Sequence, residues 1–246
     1  MTNTLPAGAL RQPGQPLLTP AQATDDLDLL QAWFDLSQAR LIELGCGAAP
    51  LARKVLEAHP GCHIAGLEVD ERQHAKNLER PHPRLQFVMA GAQAIPFGDG
   101  AFDLALMLKS LHHVPLALLD TALSEAHRVL RPGGHLYVSE PVYAGALNEM
   151  IRLFNDEGEV RAAAQAALDR ALASGRWVQA GEARFDTPVR YTDFAEFERR
   201  MVNVTFAERR IDEAVRGRLQ ALFESHLGPD GVRLVRPMHV RLLRAV

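Results

Sequence analysis

The sequence predicts an α/β protein built on a doubly wound, mostly parallel sheet, and two observations indicate this fold class. First, short apolar segments alternate with amphipathic segments between residues 38 and 142, as in parallel strands joined by helices. Second, the earliest of these apolar segments leads into a glycine turn and a helix start, which open parallel sheets place at their ligand sites. The last strand is expected to be antiparallel, and a helical cap is expected after the fifth strand.

The N-terminal part is predicted to be a loose tail followed by a helix. Residues 1–18 contain three prolines and lack the basic start and apolar core of a signal peptide. Thr19 is suited to cap a helix, and Pro20 is suited to its first position. Because this helix precedes the first strand, it is expected to close over a ligand bound at the end of that strand.

Residues 40–50, with the sequence RLIELGCGAAP, are the most informative segment of the chain. Gly45 and Gly47 permit backbone conformations that a Cβ forbids, and they allow a ligand to approach the main chain closely. Pro50 suits the first turn of the following helix. It also stands where dinucleotide-binding chains carry a third glycine, and no phosphate-cradle motif for ATP or GTP is present. The turn is therefore interpreted as a site for a smaller adenosine ligand, with a tight turn that binds nothing as the alternative.

A second apolar strand, residues 63–68, ends in the acid Glu68. This acid follows the glycine turn by about 20 residues, the spacing at which a carboxylate reaches ribose hydroxyls. Two ionised oxygens can accept hydrogen bonds from a vicinal diol. Asp70 is the rival acid, but its position favours capping of the next helix. A solvated strand end is the alternative for Glu68.

Three more strands and a long helix complete the predicted first part. Residues 85–97 hold a third strand and a turn of small residues, and residues 98–108 hold a turn and a fourth, apolar strand. Residues 115–130 form an amphipathic helix that ends at the Pro-Gly-Gly sequence of residues 132–134. The fifth strand follows and ends near Pro141.

The composition changes after Pro141, and four segments of the chain are predicted: residues 1–18 as a tail, 19–142 as the ligand-binding core, 143–191 as a helical cap, and 192–246 as a part that completes the sheet. The predicted elements of the last two segments are helices at 147–173, a short strand at 185–191, a helix at 192–200 capped by Thr192, a strand at 201–209, a helix at 211–227 and a last strand at 232–243. The last strand is expected to pair antiparallel with residues 201–209 at the sheet edge.

Five motifs occur in order between residues 38 and 142: E-L-G-C-G, G-L-E, A-x-x-I-P-F-x-D-x-x-F-D, L-H-H-V and R-V-L-R-P-G-G. With these motifs the chain resembles class I S-adenosylmethionine-dependent methyltransferases of the small-molecule kind called type 11. The resemblance implies a Rossmann-like sheet, S-adenosyl-L-methionine as the methyl donor, S-adenosyl-L-homocysteine as the product and a small-molecule acceptor. The motif that orients exocyclic amines, [DN]-P-P-[YFW], is missing after the fourth strand, so methylation of adenine N6 or of glutamine amides is disfavoured.

The resemblance implies a role for several positions at the methionine end of the donor. Glu43 would lie near the amino group, and Gly45 and Gly47 would face the methionine and ribose parts. Cys46 would contribute its backbone, and Leu108 would lie beside the sulfonium.

The resemblance also implies contacts to the adenosine part. Glu68 would hold the ribose hydroxyls, and Val69 would pack on the adenine. Ala92 and Gln93 would contact the edge of the adenine ring. Many relatives carry an acid where this chain has Gly91, so the bond to the adenine amino group must come from the main chain or from Gln93.

The catalytic residues are unknown at this point, and His112, Lys109 and Glu140 are the candidates. Methyl transfer from a sulfonium is an in-line displacement, so a base is needed only when the acceptor must lose a proton. All three candidates follow the carboxyl ends of strands four and five, as do His113 and Tyr143. The alternatives are a histidine that packs or caps the next helix, a solvated lysine and an acid that merely ends its strand. The aromatic residues Trp177, Phe185, Tyr191 and Phe194 are expected to be core of the cap, with an aromatic acceptor wall as the alternative.

Composition and charge restrict the expected partners. The formal net charge of -3 gives no basic surface for nucleic acid or for an anionic membrane, and no run of 18 apolar residues is present. No metal site is expected, because metal-ligand spacing of Cys and His is missing. Cys46 and Cys62 are expected to be reduced. The expectations are a cytoplasmic monomer or homodimer, with a donor-binding module or sensor without turnover as the alternative to an enzyme, and an enzyme that uses the donor for another reaction as a third possibility.

Overall fold

A mixed sheet of eight strands organises the computed structural model, which describes residues 25–203 and 211–246. The strands are β1 (Arg40–Leu44), β2 (His63–Glu68), β3 (Leu85–Met89), β4 (Phe102–Leu108), β5 (Leu130–Pro141), β6 (Trp177–Tyr191), β7 (Leu227–Gly228) and β8 (Gly231–Ala245). The spatial order is β3-β2-β1-β4-β5-β8-β6, and β7 pairs with β8.

The first five strands run parallel, whereas β8 runs antiparallel to β5 and β6. The predicted fold class, a doubly wound sheet with an antiparallel last strand, is therefore confirmed. The strand order reverses between β1 and β4, and open α/β sheets bind their ligands in the crevice at such a reversal.

Helices cover both faces of the sheet. They are α1 (Asp26–Trp33), α2 (Pro50–Ala58), α3 (Glu71–Leu78), α4 (Leu119–Val129), α5 (Ala146–Ile151), α6 (Gly158–Ala173), α7 (Phe194–Phe197) and α8 (Glu213–Glu224). Helices α1 and α2 bury their apolar residues with one face, and α4 and α6 bury theirs with the other. Within the described residues, no helix combines the length and the apolar content that a membrane crossing requires.

The residues that cap the helices agree in part with the sequence-based predictions. Asp70 caps α3, because its carboxylate accepts from the amides of Arg72 and Gln73. The cap of α7 is Asp193 and not the predicted Thr192, whose hydroxyl instead donates to Glu196. The predicted start of the first helix at residues 19 and 20 lies outside the described residues, as does the tail.

A third core lies beyond the carboxyl end of β5. Pairing between β5 and β8 ends at Pro141 and Met238, whereas β6 and β8 continue as a two-stranded ribbon to Tyr191 and Val232. Helices α5, α7 and α8 pack on this ribbon through Leu147, Met150, Tyr191, Phe197, Phe223 and their neighbours. The ribbon and its helices therefore stand at the carboxyl edge of the parallel strands.

Two expectations for the second half of the chain were wrong. Residues 177–191, expected mostly within a helical cap, form a 15-residue strand of the main sheet, because their alternate apolar side chains are buried. The strand expected at residues 201–209 is not formed by residues 201 and 202, which belong to a π-helical turn, Glu198–Val202, and residues 204–209 lie outside the described residues. Strand β8 pairs with β5 and β6 instead.

Candidate active site at the carboxyl edge of the sheet

The glycine turn after β1 is held tightly against the neighbouring strands. Gly45 and Gly47 have φ angles of +77° and +53°. The amides of Gly45 and Cys46 donate to the carbonyl of Leu67 at 3.0 and 2.8 Å. A Cβ on Gly45 would lie 2.8 Å from the Cβ of Ser110, which follows β4. Only glycine fits at position 45, and the turn therefore presents its backbone at the switch point of the sheet.

Glu68 reaches back to this turn from the end of β2. Its Oε2 accepts from the amide of Gly47 at 2.7 Å, and its Oε1 accepts from the amides of Val69 and Asp70 at 2.8 and 2.9 Å. The side chain is 8% exposed. A carboxylate has about four lone-pair positions, so Glu68 retains acceptor capacity for a ligand hydroxyl. Glu68 therefore holds the glycine turn in place and can still accept a hydrogen bond from a ligand at the end of β2.

Asn77 on α3 supports the other side of the turn, and the sequence analysis did not single it out. Its Nδ2 donates to the carbonyl of Gly47 at 2.8 Å, and its Oδ1 accepts from Gln73 at 2.9 Å. It is the buried residue of an otherwise polar helix. A buried asparagine needs hydrogen-bond partners, but its burial follows from the packing of α3, and no local pattern distinguishes Asn77 from the exposed polar residues beside it.

The predicted adenine region lies at the ends of β2 and β3. The side chain of Val69 is 65% exposed, and Met89 at the end of β3 is exposed as well. Two exposed apolar side chains at neighbouring strand ends offer a surface for a flat ring. Ala92 is buried, and the amide of Gln93 lies over Gly91, so that a Cβ there would meet it at 2.4 to 2.8 Å. Gln93 thus occupies the space in which a side chain at position 91 would lie.

Glu43, in β1, is a buried acid without a compensating partner. Its side chain is 2% exposed, and its Oε2 has no hydrogen-bond partner among the described residues. Burial raises the pKa of Glu43 to about 8; Lys109 opposes this shift, and the negative charges of Asp26 and Glu68 add to it. A cationic group placed here would offset the cost of ionising Glu43.

Asp26, at the start of α1, is a second acid at this place. It accepts from the hydroxyl of Tyr137 at 2.9 Å, and burial raises its pKa. The sequence analysis expected the first helix to close over the ligand but did not identify this acid. Asp26 lies near Glu43 only because α1 packs on β5, and no local sequence pattern specifies that packing.

Lys109 follows β4 in a left-handed conformation, with a φ angle of +54°. Its amide donates to the carbonyl of Ser139 at 2.8 Å, which joins it to β5. The side chain is exposed, and its charge lowers the pKa of both Glu43 and Asp26. Lys109 therefore favours the ionised forms of Glu43 and Asp26. Leu108 precedes it at the end of β4, in register with Ser139.

His112 and Glu140 form a buried pair beside these groups. His112 lies in a short 3-10 turn, Leu111–His113, and is 4% exposed. Its Nδ1 contacts Oε2 of Glu140, and Oε1 of Glu140 accepts from the amide of Leu111 at 2.9 Å. Glu140 thereby fixes the orientation of the imidazole ring, as in catalytic pairs of histidine and carboxylate.

Glu157, at the start of α6, faces the other nitrogen of His112. Its Oε2 lies 3.7 Å from Nε2 of His112 and 2.6 Å from a guanidinium nitrogen of Arg161. Burial would raise the pKa of Glu157, but Arg161 and then His112 hold it below its usual value. Glu157 is far from His112 in sequence, and the sequence analysis did not identify it.

Ring nitrogens of His112 and His113 and a carboxylate oxygen of Glu157 lie within 4.8 Å of one another. These are donor types that metals use, although the spacing in the sequence gave no indication of a metal site. The carboxylate of Glu157 is already paired with Arg161, and a neighbouring guanidinium disfavours a cation. Burial and the neighbouring His112 lower the pKa of His113. We interpret the group as one for proton transfer.

Tyr143 and the four aromatic residues named as candidates do not lie together beside His112 and Glu140. Tyr143 is exposed and donates to Asp156 at 2.7 Å. The four aromatic residues predicted to lie together are distributed over three separate cores, with Trp177 in one, Phe185 in the second, and Tyr191 and Phe194 in the third. They form no common acceptor wall. Cys46 and Cys62 are free and buried.

A recess of about 400 Å³ lies at the opposite edge of the sheet, beside Arg40, His63 and Arg84. The glycine turn, the start of α2 and both buried acids lie at the carboxyl edge. Helix starts and strand ends at that edge provide the amides and acids that bind nucleotide-like ligands. The candidate active site is therefore the carboxyl edge.

Comparison with known proteins agrees with this geometry. A family model described as a methyltransferase domain matches residues 42–138. The demethylmenaquinone methyltransferase of Thermus thermophilus is 32% identical over 125 residues, which are 47% of this chain and 54% of that protein. The 27-O-demethylrifamycin SV methyltransferase of Amycolatopsis mediterranei is 32% identical over 108 residues, 41% of this chain and 38% of that protein. The chain thus spans about half or less of the length of these curated relatives.

A solved structure gives the same fold over more of the chain. The [4+2]-cyclase SpnF has a TM-score of 0.53 and 23% identity, with 85% of this chain and 75% of that chain covered. At this identity the likeness shows the fold alone. The family model covers part of β1 and of β5 with the strands between them, and it includes Glu43 and Glu68. Residues 42–138 of this chain therefore match a methyltransferase domain.

Proposed function

We propose that the protein transfers a methyl group from S-adenosylmethionine to a small-molecule acceptor and releases S-adenosylhomocysteine. The observation that carries the proposal is the position of Glu43 and Glu68 on either side of the glycine turn, within the segment that matches the methyltransferase domain. The names of the two curated relatives, which refer to a demethylmenaquinone and a demethylrifamycin, support a small organic acceptor. The net charge of -3 supports this class over nucleic acid.

The described residues fit the donor group by group. The free Oε2 of Glu43 suits an ammonium, since a cation there would stabilise the ionised carboxylate. The remaining acceptor position of Glu68 suits a ribose hydroxyl, and the exposed Val69 suits the face of a purine. When bound, the donor supplies an electrophilic methyl group on its sulfonium.

The residues of the chain position the acceptor and manage its proton. An in-line displacement gains most from orientation and from exclusion of water. We propose His112 as the base that takes a proton from an ionisable acceptor, with Glu140 as the positioning residue that holds its Nδ1. Residues 19–142 would then bind the donor, while residues 143–191 and 192–246 would form the acceptor side, since α5, α7 and α8 stand at the carboxyl edge.

Calorimetric titration with S-adenosylmethionine tests the donor site. Wild type is expected to bind, Gly45→Val is expected to lose binding, and Glu68→Gln is expected to weaken it by about 10- to 100-fold, as for the loss of charged hydrogen bonds. Glu71→Gln, at an exposed acid three residues further along, serves as the control and should bind like wild type. Undiminished binding in both site variants would contradict the assignment. Firm binding without any methylated product would instead indicate a donor-binding module or sensor.

A further inference from the structure

We propose that a small recess between α5, α6 and β8 binds the anionic group of the acceptor, a carboxylate or a phosphate monoester. The role as an acceptor subsite depends on the proposed methyl transfer, whereas anion binding itself does not. Three polar side chains line the recess: Asn148, Arg161 and Arg236. Its enclosed volume is about 10 Å³, room for about one oxygen atom, so the rest of the anionic group would lie at the opening of the recess.

The recess adjoins the candidate active site. It begins at Pro141, immediately after Glu140 of the histidine pair. Pro141 is two residues beyond Ser139, the register partner of Leu108, and thus about 7 Å further along the strand. An acceptor could place its anion in the recess and its reacting atom near the end of β4, with about the length of one ring between them.

Arg236 brings a second guanidinium to the recess. It is half-buried, and its side chain makes no hydrogen bond or ion pair with any residue in the described part of the chain. Partial burial lowers the pKa of its guanidinium, and the positive charge of Arg161 adds to this shift, whereas Tyr191 and Glu157 oppose it. The side chain has no directly bonded acceptor among the described residues, so an anion bound beside it would gain a charged hydrogen bond.

Arg161 and Asn148 direct further unused donors at the same place. The side chain of Arg161 is 10% exposed, donates to Oδ1 of Asn148 at 3.1 Å and to Glu157 at 2.6 Å, and leaves its Nε without a partner. Asn148 is 6% exposed, and its Nδ2 has no partner. The unsatisfied atoms around the recess are therefore N–H donors, and a ligand that satisfies them must accept hydrogen bonds.

The charge balance favours an anion over a neutral acceptor. Glu157 pairs with Arg161 and also accepts from Asn155 at 2.7 Å, and its single negative charge is the one that also acts on Arg236, so two guanidinium groups share one carboxylate. A neutral carbonyl would satisfy a donor but not this charge. A carboxylate or phosphate would do both, and its planar or tetrahedral oxygens suit guanidinium groups.

Calorimetry with benzoate, phenyl phosphate and neutral benzamide tests the proposal, on the full chain with and without saturating S-adenosylhomocysteine. We expect wild type to bind benzoate or phenyl phosphate but not benzamide, and the tighter of the two anions identifies the acceptor's acidic group. Arg236→Met should weaken anion binding by about tenfold or more. Arg236→Lys, which keeps the charge, should retain part of it. Arg233→Met, an exposed arginine of the same strand that pairs with Asp230, should bind like wild type.

A second readout does not require a ligand. Arg236→Met should raise the melting temperature of the anion-free protein, because it removes one of two partly buried guanidinium groups that share the charge of Glu157. Failure of wild type to bind either anion, or an equal loss in Arg236→Met and Arg233→Met, would overturn the subsite. Failure to bind S-adenosylhomocysteine while anions still bind would instead count against the proposed methyl transfer and leave anion binding supported.

Discussion

The amide of Gly47 donates to Oε2 of Glu68 at 2.7 Å, which links the glycine turn after β1 to the acid that ends β2. The same carboxylate accepts from two further amides, at Val69 and Asp70. The acid that is proposed to hold the donor's ribose is therefore also part of the structure of the turn. Its loss should affect folding as well as binding.

We expect Glu68→Ala to lower the free energy of unfolding by about 1–3 kcal/mol, because three main-chain amides lose their acceptor. Glu68→Gln retains one acceptor oxygen and should lose less. Urea unfolding of the donor-free proteins, followed by circular dichroism, measures both. An Ala variant as stable as wild type would show that the three hydrogen bonds contribute nothing to the turn.

The two glycines of the turn should differ in their tolerance of a methyl group. A Cβ at Gly45 would meet Ser110 at 2.8 Å, whereas a Cβ at Gly47 would meet nothing within 4 Å. Both have positive φ angles, so both alanine variants carry conformational strain. We expect Gly45→Ala to cost about 2–4 kcal/mol and Gly47→Ala about 1 kcal/mol in unfolding free energy. Equal costs would contradict the close approach at Ser110.

The buried acid Glu43 should make the donor-free protein less stable as the pH rises. Its pKa is about 8 in the fold against 4.5 for the free side chain, so the folded state holds a proton that the unfolded state releases. This contribution to stability is complete below about pH 4.5 and is lost as the pH rises through about 8. Its size is on the order of a few kcal/mol. The contribution of Glu43 is isolated by comparing the unfolding free energies of wild type and Glu43→Gln between about pH 4.5 and pH 8.

Glu43→Gln removes the titrating group, so the difference in stability between wild type and variant should change with pH in the stated direction. A difference that stays constant from pH 5 to pH 8 would contradict the raised pKa. Under the proposed function, donor binding at pH 7 should also release a proton from Glu43, which calorimetry in buffers of different ionisation enthalpy detects. Glu43→Gln should abolish this release.

The pair of His112 and Glu140 should affect turnover and not donor binding. With an acceptor that must lose a proton, His112→Gln is expected to lower kcat by about 100-fold or more at unchanged affinity for S-adenosylmethionine. Glu140→Gln should lower kcat and displace the pH profile, because the imidazole loses its charged partner. His226→Gln, at an exposed histidine, is the control. A wild-type kcat in His112→Gln would remove the histidine from the mechanism.

Local patterns were sufficient for the N-terminal half of the fold. Apolar runs, glycines and a helix cap at Asp70 identify β1 to β5, and the acids Glu43, Glu68 and Glu140 follow from their positions at or next to the ends of β1, β2 and β5. Strand β6 was mostly missed in its first half, where a register shift between Gln179 and Gly181 interrupts the alternation over residues 178–180. Residues 181–184 then alternate in burial but carry none of the β-branched or aromatic side chains that identify strands.

Contacts between distant segments could not be derived in this way. His112 and Glu140 were separate candidates, 28 residues apart, and only the pairing of β4 with β5 brings them together. Glu157 and Asp26 reach the site through the packing of α6 and α1, which sequence periodicity does not specify. The unpartnered donors around Arg236 depend on the same kind of packing, across α5, α6 and β8.

Transfer of a labelled methyl group tests the central claim most directly. The purified protein is incubated with S-adenosylmethionine labelled in its methyl group and with the small-molecule fraction of a cell extract, and the products are separated from protein and nucleic acid. We predict label in a small molecule with wild type, in amounts matched by S-adenosylhomocysteine, and its loss with Glu68→Gln and Gly45→Val. Label that appears only in protein or nucleic acid, or no label despite firm donor binding, would contradict the proposed function.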